Sequence, residues 1–202
     1  MLIIGLTGSI GMGKSTTADL FREFGIPVQD SDAVVHELYA NEAAPMIEAA
    51  FPGVVVDGRV DRQRLAPRVL GNPDAMRILE SIVHPLVRQR ESDFLAQKAR
   101  AGAALVVLDI PLLFESRVET SFDAIVVVSA APDIQADRVL KRPGMTADRF
   151  RSILERQTPD AEKRRRAHFV VDTGHGLASA KAQVAAILRA LAAVQTGMNR
   201  HA

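Results

Sequence analysis

Leu2-Ile3-Ile4-Gly5-Leu6-Thr7-Gly8-Ser9-Ile10-Gly11-Met12-Gly13-Lys14-Ser15-Thr16 stands at the start of the chain and decides how the rest is read. Leu2–Leu6 is a short apolar, partly β-branched run of the kind that forms a buried strand. Gly8–Ser15 then matches G-x-x-x-x-G-K-[ST] at every fixed position. Glycines let the backbone wrap a phosphate with its N–H groups pointing inward, and a helix that follows presents its N-terminus to the same anion. The stretch therefore assigns Gly8, Gly11, Met12, Gly13, Lys14, Ser15 and Thr16 to a nucleotide's phosphates. Lys14 reaches the β- and γ-phosphates and the Ser15 hydroxyl ligates Mg²⁺. A glycine-rich turn with a surface lysine is the plainer alternative, but a chance match arises only about once per hundred chains of this size. The strand before the loop and the helical pattern after it lower that frequency further.

Working outward, Ala104–Leu108, Ala124–Val128 and Phe169–Val171 read as further buried strands, and Ile26–Gln29 as a weaker one. Helical segments between them predict an α/β fold, a five-stranded parallel sheet flanked by helices. The first helix is expected from Lys14 to Gly25, with Pro27 just beyond. Between Asp32 and Gly102 helical patterns dominate, notably Asp74–Val83 and Pro85–Ala101, with a short turn element at Val54–Val56. Pro52-Gly53, Asp57-Gly58 and Asn72-Pro73 punctuate this helical insertion. Leu177–Val194 is an Ala-rich amphipathic helix expected to pack on the sheet. Ligands of open α/β sheets bind beyond the carboxyl ends of the strands. Those ends carry Gly8, Asp30 and Asp32, Asp109, Ser129 and Asp172. Single aspartates there are usually caps; several near a phosphate site suit metal binding and proton transfer.

Composition narrows the function. Of 202 residues, 48% are apolar and 24% charged, an ordinary globular balance that excludes a disordered chain. The absence of Cys excludes a disulfide framework, a thiolate zinc site and a thiol nucleophile. No apolar stretch approaches a membrane span and no signal peptide is apparent, so a soluble, cytoplasmic protein with no membrane partner is expected. Net charge is +1, yet residues 138–166 hold eight Arg and two Lys against four acids, while the remaining 15 basic and 20 acidic residues leave −5. That local excess suits a small phosphorylated ligand better than nucleic acid, since the chain has no Trp and one Tyr. A GTPase would read guanine through Asn-Lys-x-Asp, and none of the three Asn is followed by Lys. A motor would be larger and form a ring or filament. A compact small-molecule kinase remains.

Several further elements stand in order: Asp30-Ser31-Asp32 with His36, His84-Pro85-Leu86-Val87-Arg88, Asp109-Ile110-Pro111-Leu112-Leu113-Phe114-Glu115, Arg138, Arg142 and Asp172-Thr173-Gly174. With the glycine-rich loop they resemble the dephospho-CoA kinase family over about residues 1–194. The His-Pro and Pro-Leu-Leu-Phe-Glu elements discriminate, because the loop is shared by many families. Asp-Ser-Asp stands where Asp-Ala-Asp is commoner in that family, Arg142 is followed by Pro-Gly rather than Asp-Gly, and Asp172-Thr173-Gly174 replaces a frequent Asp-Asn stretch.

The resemblance implies a P-loop NTPase fold in a single kinase domain over 1–202. Its core would comprise 1–32, 102–137 and 167–202, with a helical substrate-binding insertion at 33–101 and a basic lid at 138–166. It implies ATP and Mg²⁺ as cofactors, dephospho-CoA as acceptor and the ribose 3′-hydroxyl as nucleophile. Another small-molecule kinase, acting on a nucleoside, nucleotide or sugar acid, is the alternative. Asp32 would be the general base, although Asp is also a favoured N-cap. Arg138 and Arg142, four apart on one helix face, would neutralise the transferring phosphoryl group or merely form a solvated face. His84 and Arg88 would line the acceptor site, with Pro85 opening a helix. Asp109 would bind Mg²⁺ through water. Leu113 would belong to an apolar wall, though Leu is more often core.

Overall fold

The computed structural model describes residues 1–198. In chain order its elements begin with β1 (Leu2–Gly8), α1 (Lys14–Glu23), β2 (Val28–Asp30), α2 (Ser31–Ala40) and α3 (Ala43–Ala50). A small hairpin, β3 (Val55–Val56) and β4 (Arg59–Val60), leads to α4 (Arg62–Val69) and α5 (Pro73–Arg100). Then follow β5 (Leu105–Asp109), β6 (Ala124–Ser129), α6 (Pro132–Leu140), α7 (Ala147–Glu155), α8 (Asp160–Arg166), β7 (Phe169–Asp172) and α9 (Gly176–Met198). The chain divides into two compact units, one of residues 1–28 with the chain from Gly102 onward, the other Gln29–Ala101. Among the described residues no helix is long and apolar enough to cross a membrane.

The larger sheet has the order β2-β5-β1-β6-β7. Within the first unit β1 is central, pairing in parallel with β5 (Ile4 with Val107) and with β6 (Ile4 with Ala124). A central parallel strand is covered on both faces, which is why these strands read as unbroken apolar runs rather than alternating ones. On one face Ile4, Leu6, Val126 and Val128 pack with Leu20 and Phe21 of α1 and with Val184 and Ile187 of α9. On the other, Ile125 and Val127 meet Leu113 and Phe114.

The second unit has its own core, built from Leu38, Ile47, Phe51, Leu65, Leu79 and Val83 among others. Its hairpin turns through Asp57 (φ 49°) and Gly58 (φ 75°), the double left-handed conformation of a tight two-residue turn. The half-buried Glu48 carboxylate accepts N–H groups of Gly53 (2.6 Å), Val54 (3.1 Å) and Val55 (2.8 Å), anchoring the chain entering the hairpin. Those bonds hold its carboxyl below the usual range.

The second unit starts at Gln29, and Asp30 ends β2, the edge strand of the larger sheet. One expectation is corrected here. The segments 74–83 and 85–101 are one helix, α5, and Pro85 lies in its interior instead of opening a second helix. The start signal sits at Asn72-Pro73, where the Asn72 side chain accepts the N–H of Ala75 (3.2 Å). Pro85 offers no N–H to the carbonyl of Ser81. The helix continues because Leu79 and Val83 are buried on one side of the proline and Leu86 and Val87 pack against the same core on the other. We expect Pro85→Ala to restore that bond and raise unfolding free energy by about 1 kcal/mol, the interior-proline cost being partly relaxed in the native helix. Urea denaturation of the two proteins measures it.

Candidate active site

The glycine-rich loop leaves β1 at Gly8, beside Val128 of β6. A Cβ on Gly8 would lie 2.7 Å from the Val128 carbonyl oxygen, so only glycine allows this approach. Gly13 ends the loop at φ 91° as the N-cap of α1, and no side chain caps that helix. Its first turn holds no acidic residue, which leaves the positive end of the helix dipole suited to an anion. Ser15 and Thr16 are exposed on that turn. Lys14 Nζ lies 2.5 Å from Oδ1 of Asp109, the last residue of β5, whose side chain is 2% exposed. The sheet thus delivers an acid from the neighbouring strand directly to the loop lysine.

Beside the loop lies a groove of about 320 Å³ lined by Gly11, Gly13, Thr16, Arg138, Arg142 and Leu177 among others. The Arg138 guanidinium donates to Thr173 Oγ1 and to the Thr173 carbonyl, both at 2.8 Å. Thr173 Oγ1 in turn donates to the Met12 carbonyl oxygen (2.7 Å). Arg138 is therefore a strut joining the glycine-rich loop to the turn after β7. The expected pairing of Arg138 and Arg142 on one helix face is corrected: α6 ends at Leu140, short of Pro143, and Arg142 is exposed in the following turn. Both nevertheless line the groove, because the turn folds back with the Arg142 N–H bonded to the Val139 carbonyl (3.0 Å). Leu113 is corrected too. It is 0% exposed and packs in a core cluster with Phe114, Ile125 and Val127, so it lines no open surface.

The remaining expected residues belong to the second unit. Asp30 caps α2, its Oδ1 accepting the N–H groups of Asp32 (2.9 Å) and Ala33 (3.1 Å). The capping role weighed for the pair thus falls to Asp30, and Asp32 stands exposed in the first turn. His84 and Arg88 are exposed, four apart on one face of α5.

Gln135 and Gln157, which hold the loop, were not singled out from the sequence. Gln135 Nε2 donates to the Ile10 carbonyl (2.7 Å), and Gln157 Oε1 accepts the Ile10 N–H (3.2 Å). Met12 Sδ accepts the N–H of Ala130 (3.1 Å). Glu115 Oε1 accepts the N–H of Thr158 (2.7 Å) and lies 3.0 Å from the fully buried Lys163 Nζ. Glutamines and a threonine carry no motif of their own, and only the folded loop shows which backbone groups need them.

A parallel sheet with a phosphate loop at its central strand defines the P-loop NTPase fold, and comparison with known proteins narrows that class. A family model described as dephospho-CoA kinase matches residues 2–179. The chain is 56% identical over 192 residues to the dephospho-CoA kinase of Rhodopseudomonas palustris, covering 95% of this chain and 96% of that one. It is 58% identical over 193 residues to that of Agrobacterium fabrum, covering 96% and 100%. Among solved structures, TT1252 from Thermus thermophilus superposes with a TM-score of 0.84 at 36% identity, covering 94% and 96% of the two chains. A dephospho-CoA kinase from Campylobacter jejuni, at TM-score 0.64, 20% identity and coverage of 94% and 96%, shares the fold. The chain belongs to the dephospho-CoA kinase family.

The Glu115–Lys163 pair sets an electrostatic condition on this site. Burial pushes the Glu115 carboxyl up, but the N–H groups of Thr158 and of Glu115 itself and the Lys163 ammonium together outweigh it. The carboxyl is held below its ordinary value in the folded protein, so its contribution to stability is present above the usual carboxylate range and is lost as pH falls through the lowered pKa. Glu115→Gln leaves the Lys163 ammonium buried without a counter-charge, and should cost about 3 kcal/mol at pH 7. The deficit relative to the parent should shrink as pH falls, which denaturant titrations at pH 7, 5 and 3.5 would follow.

Proposed function

We propose that this protein transfers the γ-phosphoryl group of ATP to the ribose 3′-hydroxyl of dephospho-CoA, giving coenzyme A and ADP in the last step of coenzyme A synthesis. The observation that carries this reading is the family match over residues 2–179, with the phosphate loop intact at an uncapped helix N-terminus. The backbone of Gly8–Thr16 wraps the phosphates, and Lys14, now paired with Asp109, turns its ammonium to the β- and γ-phosphate oxygens. Arg142, exposed in the groove, meets negative charge on the transferring group, while Arg138 holds the loops on either side. Phosphoryl transfer proceeds through a loose transition state, so positioning and charge stabilisation account for most of the catalysis.

The donor set suits Mg²⁺. That ion takes oxygen ligands, keeps several waters and needs one or two carboxylates beside substrate phosphates. The Ser15 hydroxyl and the Asp109 carboxylate, through water, supply that set without a cluster of three His, Asp or Glu, and none is found among the described residues. When bound, Mg²⁺ offsets the charge of the β- and γ-oxygens.

Asp32 is the acceptor-side carboxylate, since Asp30 is engaged as the helix cap. It takes the 3′-hydroxyl proton and orients that oxygen toward the γ-phosphorus. His84 and Arg88 meet the anionic arm of the acceptor from one face of α5. The partners on this reading are small molecules, neither nucleic acid nor membrane, and a cytoplasmic location goes with that reading.

Asp32→Asn keeps the side chain's shape and removes its charge, so kcat should fall about 100-fold or more with little change in ATP affinity. Asp30→Asn should act more mildly, and the reverse order would move the base to Asp30. The acceptor is tested by ADP release with dephospho-CoA, AMP, adenosine, shikimate and gluconate at equal enzyme. We expect dephospho-CoA to exceed the others by far in kcat/KM, because binding its remote arm helps to position the hydroxyl. Equal turnover of AMP would replace the acceptor while leaving a P-loop kinase.

A further inference from the structure

The phosphate loop is held mainly by side chains. Its turn conformation comes from left-handed glycines, Gly11 (φ 78°) and Gly13 (φ 91°), and one backbone bond, Met12 N–H to Ser9 carbonyl (3.1 Å), closes it locally. Glycine backbones are conformationally free, so such a loop keeps one shape only where its neighbours impose it. Gln135, Arg138 and Thr173 do so from α6 and from the turn after β7. Gln157 is different. It follows α7, within the basic segment 138–166, and its Oε1 accepts the N–H of Ile10 while Gln135 binds the carbonyl of the same residue.

The placement of Gln157 is itself imposed. The next residue, Thr158, donates its N–H to Glu115 Oε1 (2.7 Å), and the fully buried Lys163 ammonium lies 3.0 Å from that same oxygen. Pro159 accepts the N–H of Lys163 (3.0 Å) as the N-cap of α8, so Gln157 and Thr158 lead directly into a helix fastened at Glu115. An ion pair is an expensive way to fill a buried position, and a well-packed apolar pair often serves stability as well. Here the carboxylate also fastens the backbone next to Gln157, which an apolar pair would not do.

We infer that Gln157 is a positioning residue for phosphoryl transfer: held by Glu115 and Lys163, it fixes the Ile10 N–H, and with it the shape of the loop that receives the triphosphate. This rests on the proposed ATP-dependent reaction but concerns the ATP side alone. The interaction acts through the loop and touches no reacting atom, so its loss should weaken triphosphate binding and leave acceptor binding unchanged.

The test compares the parent with Gln157→Met, which keeps length and volume and removes the amide acceptor. ATP dissociation is measured by calorimetry without acceptor, the KM values for ATP and dephospho-CoA by ADP release, and exchange of the Ile10 amide proton by NMR. The expected result is a protected Ile10 amide in the parent and lost protection in Gln157→Met. ATP Kd and KM should rise about five- to tenfold, as for one lost hydrogen bond, with the KM for dephospho-CoA and the melting temperature unchanged. Unaltered ATP binding would overturn the inference, as would a parallel rise in both KM values with a fall in melting temperature, the mark of a purely structural contact. Should the variant fail to fold, the parent still decides: an unprotected Ile10 amide refutes the role and a protected one supports it. Failure of the parent to phosphorylate dephospho-CoA would refute the acceptor assignment instead, and the ATP and exchange measurements would still be read.

Discussion

A methyl group on Gly8 would sit 2.7 Å from the Val128 carbonyl oxygen, and the nucleotide side of the molecule is arranged around that close approach. It lets the chain leave the centre of a parallel sheet and turn at once into α1. The helix then starts at Gly13 with no capping side chain, so its positive end is suited to an anion. Because β1 has a partner on each side, the same event brings Asp109 from β5 to Lys14 and Ala130, just after β6, to Met12. The chemistry follows from strand order: neighbours in the sheet are neighbours in the site.

The basic segment shows how composition and structure diverge. Its local excess of cations suggests a surface for a polyanion, yet much of that charge is met within the protein. Arg164 pairs with Asp160 (3.0 Å), Lys141 with Asp137 (2.7 Å), and Arg166 with Glu119 and Glu162 while it lies over Phe114. Pairs at or near the surface contribute little to stability and mainly satisfy local charge. Lys163 alone among them is wholly buried, and it has a positional task at Glu115. What reaches the groove is a selected few cations, Arg138 held rigidly and Arg142 exposed.

The two units rest on separate cores, one gathered on the sheet and α1 and α9, the other among α2 to α5 and the small hairpin. The phosphate loop belongs to the first, and the candidate acceptor residues Asp32, His84 and Arg88 belong to the second. Each group is therefore supported by its own packing. A substitution in one core acts first on the residues that core carries.

Backbone-coded features were legible in the sequence. The phosphate loop, the strands and the long terminal helix follow from local rules, because glycine torsions, apolar runs and helix stop signals act over a few residues. Lys14 and Asp109 were also singled out in the sequence, and the fold brings the two into contact. Pro85 misled, since a proline read locally ends a helix, whereas leucines and valines packed on one core on both sides carry α5 through it. Leu113 misled for the same reason: nothing in a Leu-Leu-Phe run says which residue the sheet will cover. The glutamines on Ile10, the strut from Arg138 to Thr173 and the Glu115–Lys163 pair could only come from tertiary structure. Each joins residues far apart in the chain, and what selects them is a single unsatisfied backbone group or buried charge that exists only after folding.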